Sequence, residues 1–271
     1  MANPSTEPSW KRLFSEGGFA WSFRMRPGDV RGFFNCQDDG GSLLTEKRRS
    51  LQEHPSRYVA ATPAAQPLVD QVFDMAVSWG QIAPESPRGL IHLAHALEPD
   101  ILLMDSMTMT LVAGCVCMPS SWDLAHAIGK PMHVVHDVVP RLNAQIGDKI
   151  GQFLSKIPEG KAFLRENWSL TRTADRNYHP ALHRDRLDAS AAPEDVFLRI
   201  EHQIFTAIPG GILMGLRIET CPLADLAADS DVWHNLTEII RTMPDDVACY
   251  KSMLAARDPL AERMARYGGP G

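Results

Sequence analysis

Residues 195–207 and 211–220 form two runs of alternating apolar and polar side chains, joined at Ile208-Pro209-Gly210-Gly211. This pair narrows most what the chain can fold into. A tight Gly-Gly connection between two β-rich runs is a hairpin, so the protein contains an antiparallel sheet. Along Val196-Phe197-Leu198-Arg199-Ile200-Glu201-His202-Gln203-Ile204, a period of two sets Arg199, Glu201 and Gln203 on one face. Leu198, Ile200, His202 and Ile204 take the other. On the partner run Arg217 and Glu219 share a face, opposite Leu216 and Ile218. If the Arg199 face meets solvent, this is a half-buried hairpin laced by cross-strand ion pairs. If it looks into a cavity, the same residues can orient the carboxylates of a substrate or cofactor. The alternation alone favours solvent.

The remaining elements build outward from this hairpin. Residues 162–172 read as a third strand, followed by a polar loop over 173–194 rich in Arg, Asp, His and Pro. Residues 101–104 and 108–118 read as two earlier strands. Helices are expected over 43–54, with Leu43, Leu44, Lys47 and Leu51 on one side, and over 64–79, with Leu68, Val69, Val72, Phe73 and Val77 buried. Residues 89–97 fit either helix or strand. Ser120 or Ser121 is a natural N-cap for a helix starting at Trp122, which Gly129-Lys130-Pro131 stops. A longer helix follows Pro140, with Leu142, Ile146, Ile150, Phe153 and Leu154 at helical spacing. Beyond Pro222 helices are expected near 224–242, 245–256 and 258–267, broken at Pro244 and Pro259. Helices, two strands, short helices, three strands and helices again make an α+β layout. A five-stranded antiparallel sheet with helices between strands two and three is the PAS arrangement. The chain reads as one domain over 1–271, with helical elaborations over about 1–98 and 224–271.

Composition narrows the function. A 271-residue chain with 44% hydrophobic and 22% charged residues has the make-up of an ordinary globular protein. A net charge of −6 argues against a nucleic-acid partner, because phosphate binding needs a basic surface. The N-terminal stretch carries no apolar secretory core, and the most apolar window, 101–118, is interrupted by Asp105, so neither export nor a membrane span is expected. Five cysteines without regular spacing fit reduced thiols in a cytoplasm. Cys115 and Cys117 would share a strand face, but without a second Cys pair they are weak as a metal motif. His92 and His95 are equally weak without a third ligand.

The chemistry-bearing stretch is 111–140, where an apolar strand turns at Met118-Pro119-Ser120-Ser121 and leads to His126, His133 and His136. His136, between Val134-Val135 and Asp137-Val138-Val139-Pro140, could ligate a metal or haem iron. It could equally be a core histidine satisfied by backbone groups, and the local residues favour that reading.

A series of motifs shifts the balance. In order they are Phe23-Arg24-Met25-Arg26-Pro27, Leu44-Thr45-Glu46-Lys47-Arg48-Arg49, residues 111–122, Gly129-Lys130-Pro131, and Val135-His136 with Val139-Pro140. Arg165-Glu166-Asn167-Trp168, Leu198-Arg199-Ile200-Glu201-His202-Gln203, Arg217, Cys221-Pro222-Leu223 and Tyr250-Lys251 follow. On these the chain resembles, over nearly its whole length, the haem-dependent oxidative N-demethylase alpha-subunit-like proteins. That resemblance implies a PAS-like fold that binds haem b and acts as an enzyme. The activity it implies is oxidation of a small amine such as dimethylamine to methylamine and formaldehyde. It further implies O2 as oxidant and electrons from separate flavin and iron–sulfur partners; activation of peroxide in place of O2 is the other expectation for the oxidant. His136 matches the family's His-x-x-Val-Pro segment and becomes the expected axial iron ligand, with His133 its nearest competitor. Asn167, Arg199, Glu201 and Arg217 become candidates for oxygen polarisation, amine binding or propionate pairing. Arg165, Trp168 and Gln203 become candidate cofactor contacts. Asp137 after the histidine, the basic loop 172–186, and a sequence coding for no flavin or iron–sulfur domain depart from the demethylase pattern and put dimethylamine itself in doubt. The alternative is a PAS-type haem sensor or carrier without turnover.

Overall fold

A computed structural model of the chain describes residues 8–35 and 41–267. Seven strands form one antiparallel sheet: β1 (Arg26–Gly28), β2 (Val59–Ala61), β3 (Asp100–Asp105), β4 (Leu111–Cys115), β5 (Ala162–Thr171), β6 (Phe197–Ile208) and β7 (Gly211–Pro222). Their order is β1-β5-β6-β7-β3-β4-β2. The α+β class holds, but the sheet has seven strands rather than five. The two extra strands are three-residue edges, too short to show a period; pairing of Arg26 with Leu164 and of Val59 with Cys115 makes them strands.

The hairpin pairs over its full length, from Phe197 opposite Pro222 to Ile208 opposite Gly211. Each half also finds a second neighbour, β5 on one side and β3 on the other. Both edges of the hairpin are therefore paired, and helices cover the two faces. One carries the helices Ser42–Glu53, Gln66–Ser78 and Leu90–Ala96, packed on Ile101, Leu103, Ala113, Cys115 and Leu213. Farther along the same face Leu198 and Ile200 meet Leu236, Ile240, Leu260 and Phe14 in a second core. The opposite face carries Leu102, Met104, Leu111, Phe205 and Ile212 against Leu124, Leu142, Ile146, Ile150 and Leu154.

Several expected boundaries move. The cap of the first inserted helix, Leu124–Ala127, is Asp123, whose carboxylate accepts from the Ala125 N–H, rather than Ser120 or Ser121. Residues 89–97 resolve as helix Leu90–Ala96. The segment after Pro140 is a wide i→i+5 turn, Asn143–Gly147, leading into helix Asp148–Leu154. Pro259 lies inside helix Leu254–Arg266, and the break falls earlier, at Ser252 with φ 55°. The start of the described chain is packed: Phe14 is fully buried and meets Trp168 edge-on at 5.3 Å.

Close packing leaves no room for a side chain at Gly215. A Cβ on Gly215, in the middle of β7, would lie 2.8 Å from Phe34 Cζ and 2.9 Å from Phe33 Cε1. Gly215→Ala is expected to cost about 1–3 kcal/mol through overpacking, read as a lower urea midpoint with an unchanged slope. An unaltered midpoint would show that helix Val30–Asn35 yields freely there.

Candidate functional site

Between the sheet and the inserted helices lies a cavity of about 770 Å³, a volume suited to a large organic ligand. Its apolar lining includes Phe23, Met104, Leu111, Leu142, Leu154 and Leu216. Arg199, Glu201, Gln203 and Phe205 all face it, so the polar face of the hairpin looks inward and not to solvent. Alternation predicted the face correctly; only the layer of inserted helices decides what that face meets.

Arg199 is 0% exposed. Its Nη1 donates to Glu201 Oε1 at 2.9 Å and to Ser120 Oγ, and its Nη2 donates to the Met118 carbonyl at 2.6 Å. Ser120 in turn donates to Glu201 Oε1. Glu201 Oε2 accepts from Gln203 Nε2 at 3.0 Å and from Asn167 Nδ2 at 3.4 Å. A carboxylate offers about four lone-pair positions, and here all are taken. Burial works against the Glu201 charge, but Arg199, Ser120 and Gln203 outweigh it and hold the carboxyl below its ordinary range. Ser120, expected only as a possible cap, is a central member of this cluster. The turn at Pro119 swings it over the sheet, which spacing alone does not reveal.

His136 ends the short helix Met132–His136 and lines the cavity half-buried. Burial, reinforced by the Arg165 guanidinium and only partly offset by Asp137, pushes its imidazole down to about 4. The ring is thus neutral at pH 7, the form that binds a metal. His133 is exposed and does not line the cavity. His126 sits at the rim, its side chain 85% exposed and 3.3 Å from Asp123. His202 lies on the other sheet face, 2.8 Å from Glu219.

The other expected residues divide. Arg165, Asn167 and Gln203 line the cavity. Arg217 does not: its register partner is His202, on the far face, and there it pairs with Glu98. Its expected place beside Arg199 and Glu201 is corrected by that register. Trp168 pairs with Ile200 and its ring meets Phe14 on that side of the sheet, while the residue also lines the cavity. Lys251, legible only as part of a motif, also lines the cavity. Its Nζ donates to the Trp168 carbonyl at 2.8 Å and lies 5.5 Å and 5.0 Å from the Trp21 and Trp168 ring centres. Burial, with Glu201 opposing, pulls this ammonium down to about 8.

Among the described residues, three buried donors on the lining have no hydrogen-bond partner: Arg165 Nε, Arg172 Nη1 and Arg199 Nε. Unsatisfied guanidinium groups beside an apolar volume fit a flat apolar ligand that carries carboxylates, and the inward histidine supplies a nitrogen ligand for its metal. A second cluster, Asp100, Cys115 and Cys117, lies beneath the opposite face beside the Lys47 ammonium.

Fold and cavity together define an antiparallel α+β protein with a large, mostly apolar cavity whose lining carries unpaired guanidinium nitrogens. A family model described as haem-dependent oxidative N-demethylase, alpha subunit-like, matches residues 79–261. The chain belongs to that family, whose name denotes a haem-dependent oxidative enzyme. The matched span begins before β3 and ends within the last helix, so it contains His136, the Arg199–Glu201 cluster and Lys251.

Proposed function

We propose that this protein is a haem-dependent oxidoreductase that removes a methyl group from an amine nitrogen. The observation that carries the reading is the neutral, inward-facing His136 beside the unpartnered Arg165, in a cavity of haem-compatible size and polarity. His136 would hold the iron of haem b, and Arg165, with Arg172, would meet propionates. Bound haem supplies oxygen activation. The overall reaction consumes an N-methyl amine, O2, two electrons and two protons, and yields the demethylated amine, formaldehyde and water. Separate flavin or iron–sulfur proteins would deliver the electrons.

The chain's own residues set the reaction face. The Arg199–Ser120–Glu201 cluster is rigid, because every acceptor position on Glu201 is occupied and Arg199 is anchored to the Met118 carbonyl. Ser120 bridges a buried cation and a buried anion, so a proton is held at its Oγ, directed at the Glu201 carboxylate. Such a cluster favours an enzyme over a carrier, which needs no positioned proton donor. The strands β5-β6-β7-β3-β4 are contiguous, with helices inserted between β4 and β5, which supports a PAS-like core to which β1 and β2 add one edge each.

The test begins with a visible spectrum of purified protein with added haemin, where a Soret band is expected. O2-dependent formaldehyde release from a panel of N-methyl amines, with a reductase as donor, should follow. A chain that develops no Soret band at any haemin concentration overturns the reading.

A further inference from the structure

We propose that the substrate of this cavity carries an anionic group, a carboxylate, and that Lys251 is its anchor. This inference rests on the reading of the cavity as the reaction site. The first ground is what the inner cavity lacks. A simple alkylamine is a cation near neutral pH and calls for a free carboxylate, yet Glu201 accepts from Ser120, Arg199, Gln203 and Asn167, and Arg199 already balances its charge. Among the described residues the other lining carboxylates sit toward solvent: Asp123 caps Leu124–Ala127 and faces His126 and His179, and Asp185 is exposed.

The second ground is the surplus of positive charge. Lys130, Arg165, Arg172, Arg186, Arg199 and Lys251 line the cavity against Asp123, Asp185 and Glu201. Two propionates would meet two of these cations, and a net positive lining remains.

The third ground is the setting of Lys251. An ammonium has three donors, and this one spends a single hydrogen bond, on the Trp168 carbonyl. Beside the rings of Trp21 and Trp168 it is held at a fixed place on the cavity lining, and its other N–H groups make no hydrogen bond among the described residues. β1 pairs only with residues 162–164 of β5, so the outer edge of β5 around Trp168 is open to the C-terminal segment that brings Lys251 in. An amine bearing a carboxylate, such as an N-methylated amino acid, supplies the counter-charge for its own ammonium and presents that anion to Lys251, while its N-methyl group reaches further into the apolar volume.

The experiment uses full-length protein with haem bound, titrated with N,N-dimethylglycine and with dimethylamine. Binding is followed by perturbation of the Soret band and by the shift in thermal unfolding. N,N-dimethylglycine is expected to bind at least about tenfold more tightly than dimethylamine, roughly the contribution of one charge-assisted contact. Lys251→Met should erase that ratio, and Lys251→Arg should retain most of it, which separates loss of the anchor from loss of the fold. Equal or tighter binding of dimethylamine, or an unchanged ratio in Lys251→Met, overturns the proposal. Failure of the haem reading is distinct, since no Soret band would form before any ligand is added.

Discussion

His136→Ala should abolish the Soret band that wild-type protein develops with haemin, or shift it to that of weakly held haem with affinity down at least about 100-fold. The expectation is large because no other histidine is placed to substitute. His133, three residues earlier, is exposed, His126 is at the rim, and His202 is on the far side of the sheet. His133→Ala is therefore expected to leave the band unchanged. Added imidazole should partly restore the spectrum of His136→Ala, because the cavity wall formed by Val135, Val139 and Leu142 stays in place. Urea unfolding of the apo protein should barely change, since a half-buried side chain at the end of a five-residue helix contributes little packing. A wild-type spectrum from His136→Ala would remove this residue from the iron.

Lys47→Met should destabilise the protein by about 3–5 kcal/mol, the usual cost of breaking one side of a buried ion pair. The Lys47 ammonium and the Asp100 carboxylate are 3.4 Å apart, with side chains 1% and 2% exposed. Lys47 also donates to the carbonyls of Leu97 at 3.0 Å and Pro99 at 2.6 Å, so its removal leaves two buried carbonyls short of a donor and the Asp100 carboxylate without its counter-charge. The loss reaches the cavity. Asp100 Oδ2 accepts from the Met118 N–H at 2.8 Å, and the Met118 carbonyl accepts from Arg199 Nη2. A core lysine on one face of the sheet thus helps hold the cavity arginine on the other.

The pH dependence of that variant follows from Asp100. Burial raises its carboxyl above the ordinary 3.8, and without Lys47 the rise is larger. A folded state that binds the proton more tightly than the unfolded chain loses stability as pH rises from 3.8 through the folded value. The deficit of Lys47→Met relative to wild type should therefore be smaller at pH 4 than at pH 7. Urea denaturation at the two pH values measures it, and a deficit independent of pH would show that Asp100 stays ionised.

The sequence by itself determined the hairpin, because Pro209-Gly210-Gly211 between alternating runs has few other uses. It determined the α+β order, and it placed His136 and the Arg199–Glu201–Gln203 face among the chemistry-bearing residues. These are local properties: turn chemistry, side-chain period and motif order are written in neighbouring residues. The tertiary structure decided what the faces meet. Whether Arg199 lies in water or in a cavity depends on helices inserted some 45–75 residues away in sequence, which alternation along β6 cannot sense. Arg217 went to the wrong side in expectation because a sequence shows which residues share a face of one strand, and not which face of that strand joins which face of its neighbour. The short edges β1 and β2 exist only through their partners. Ser120 and Lys251 belong to the site because a turn and a distant C-terminal segment bring them there, and no period records contacts between residues so far apart in the chain.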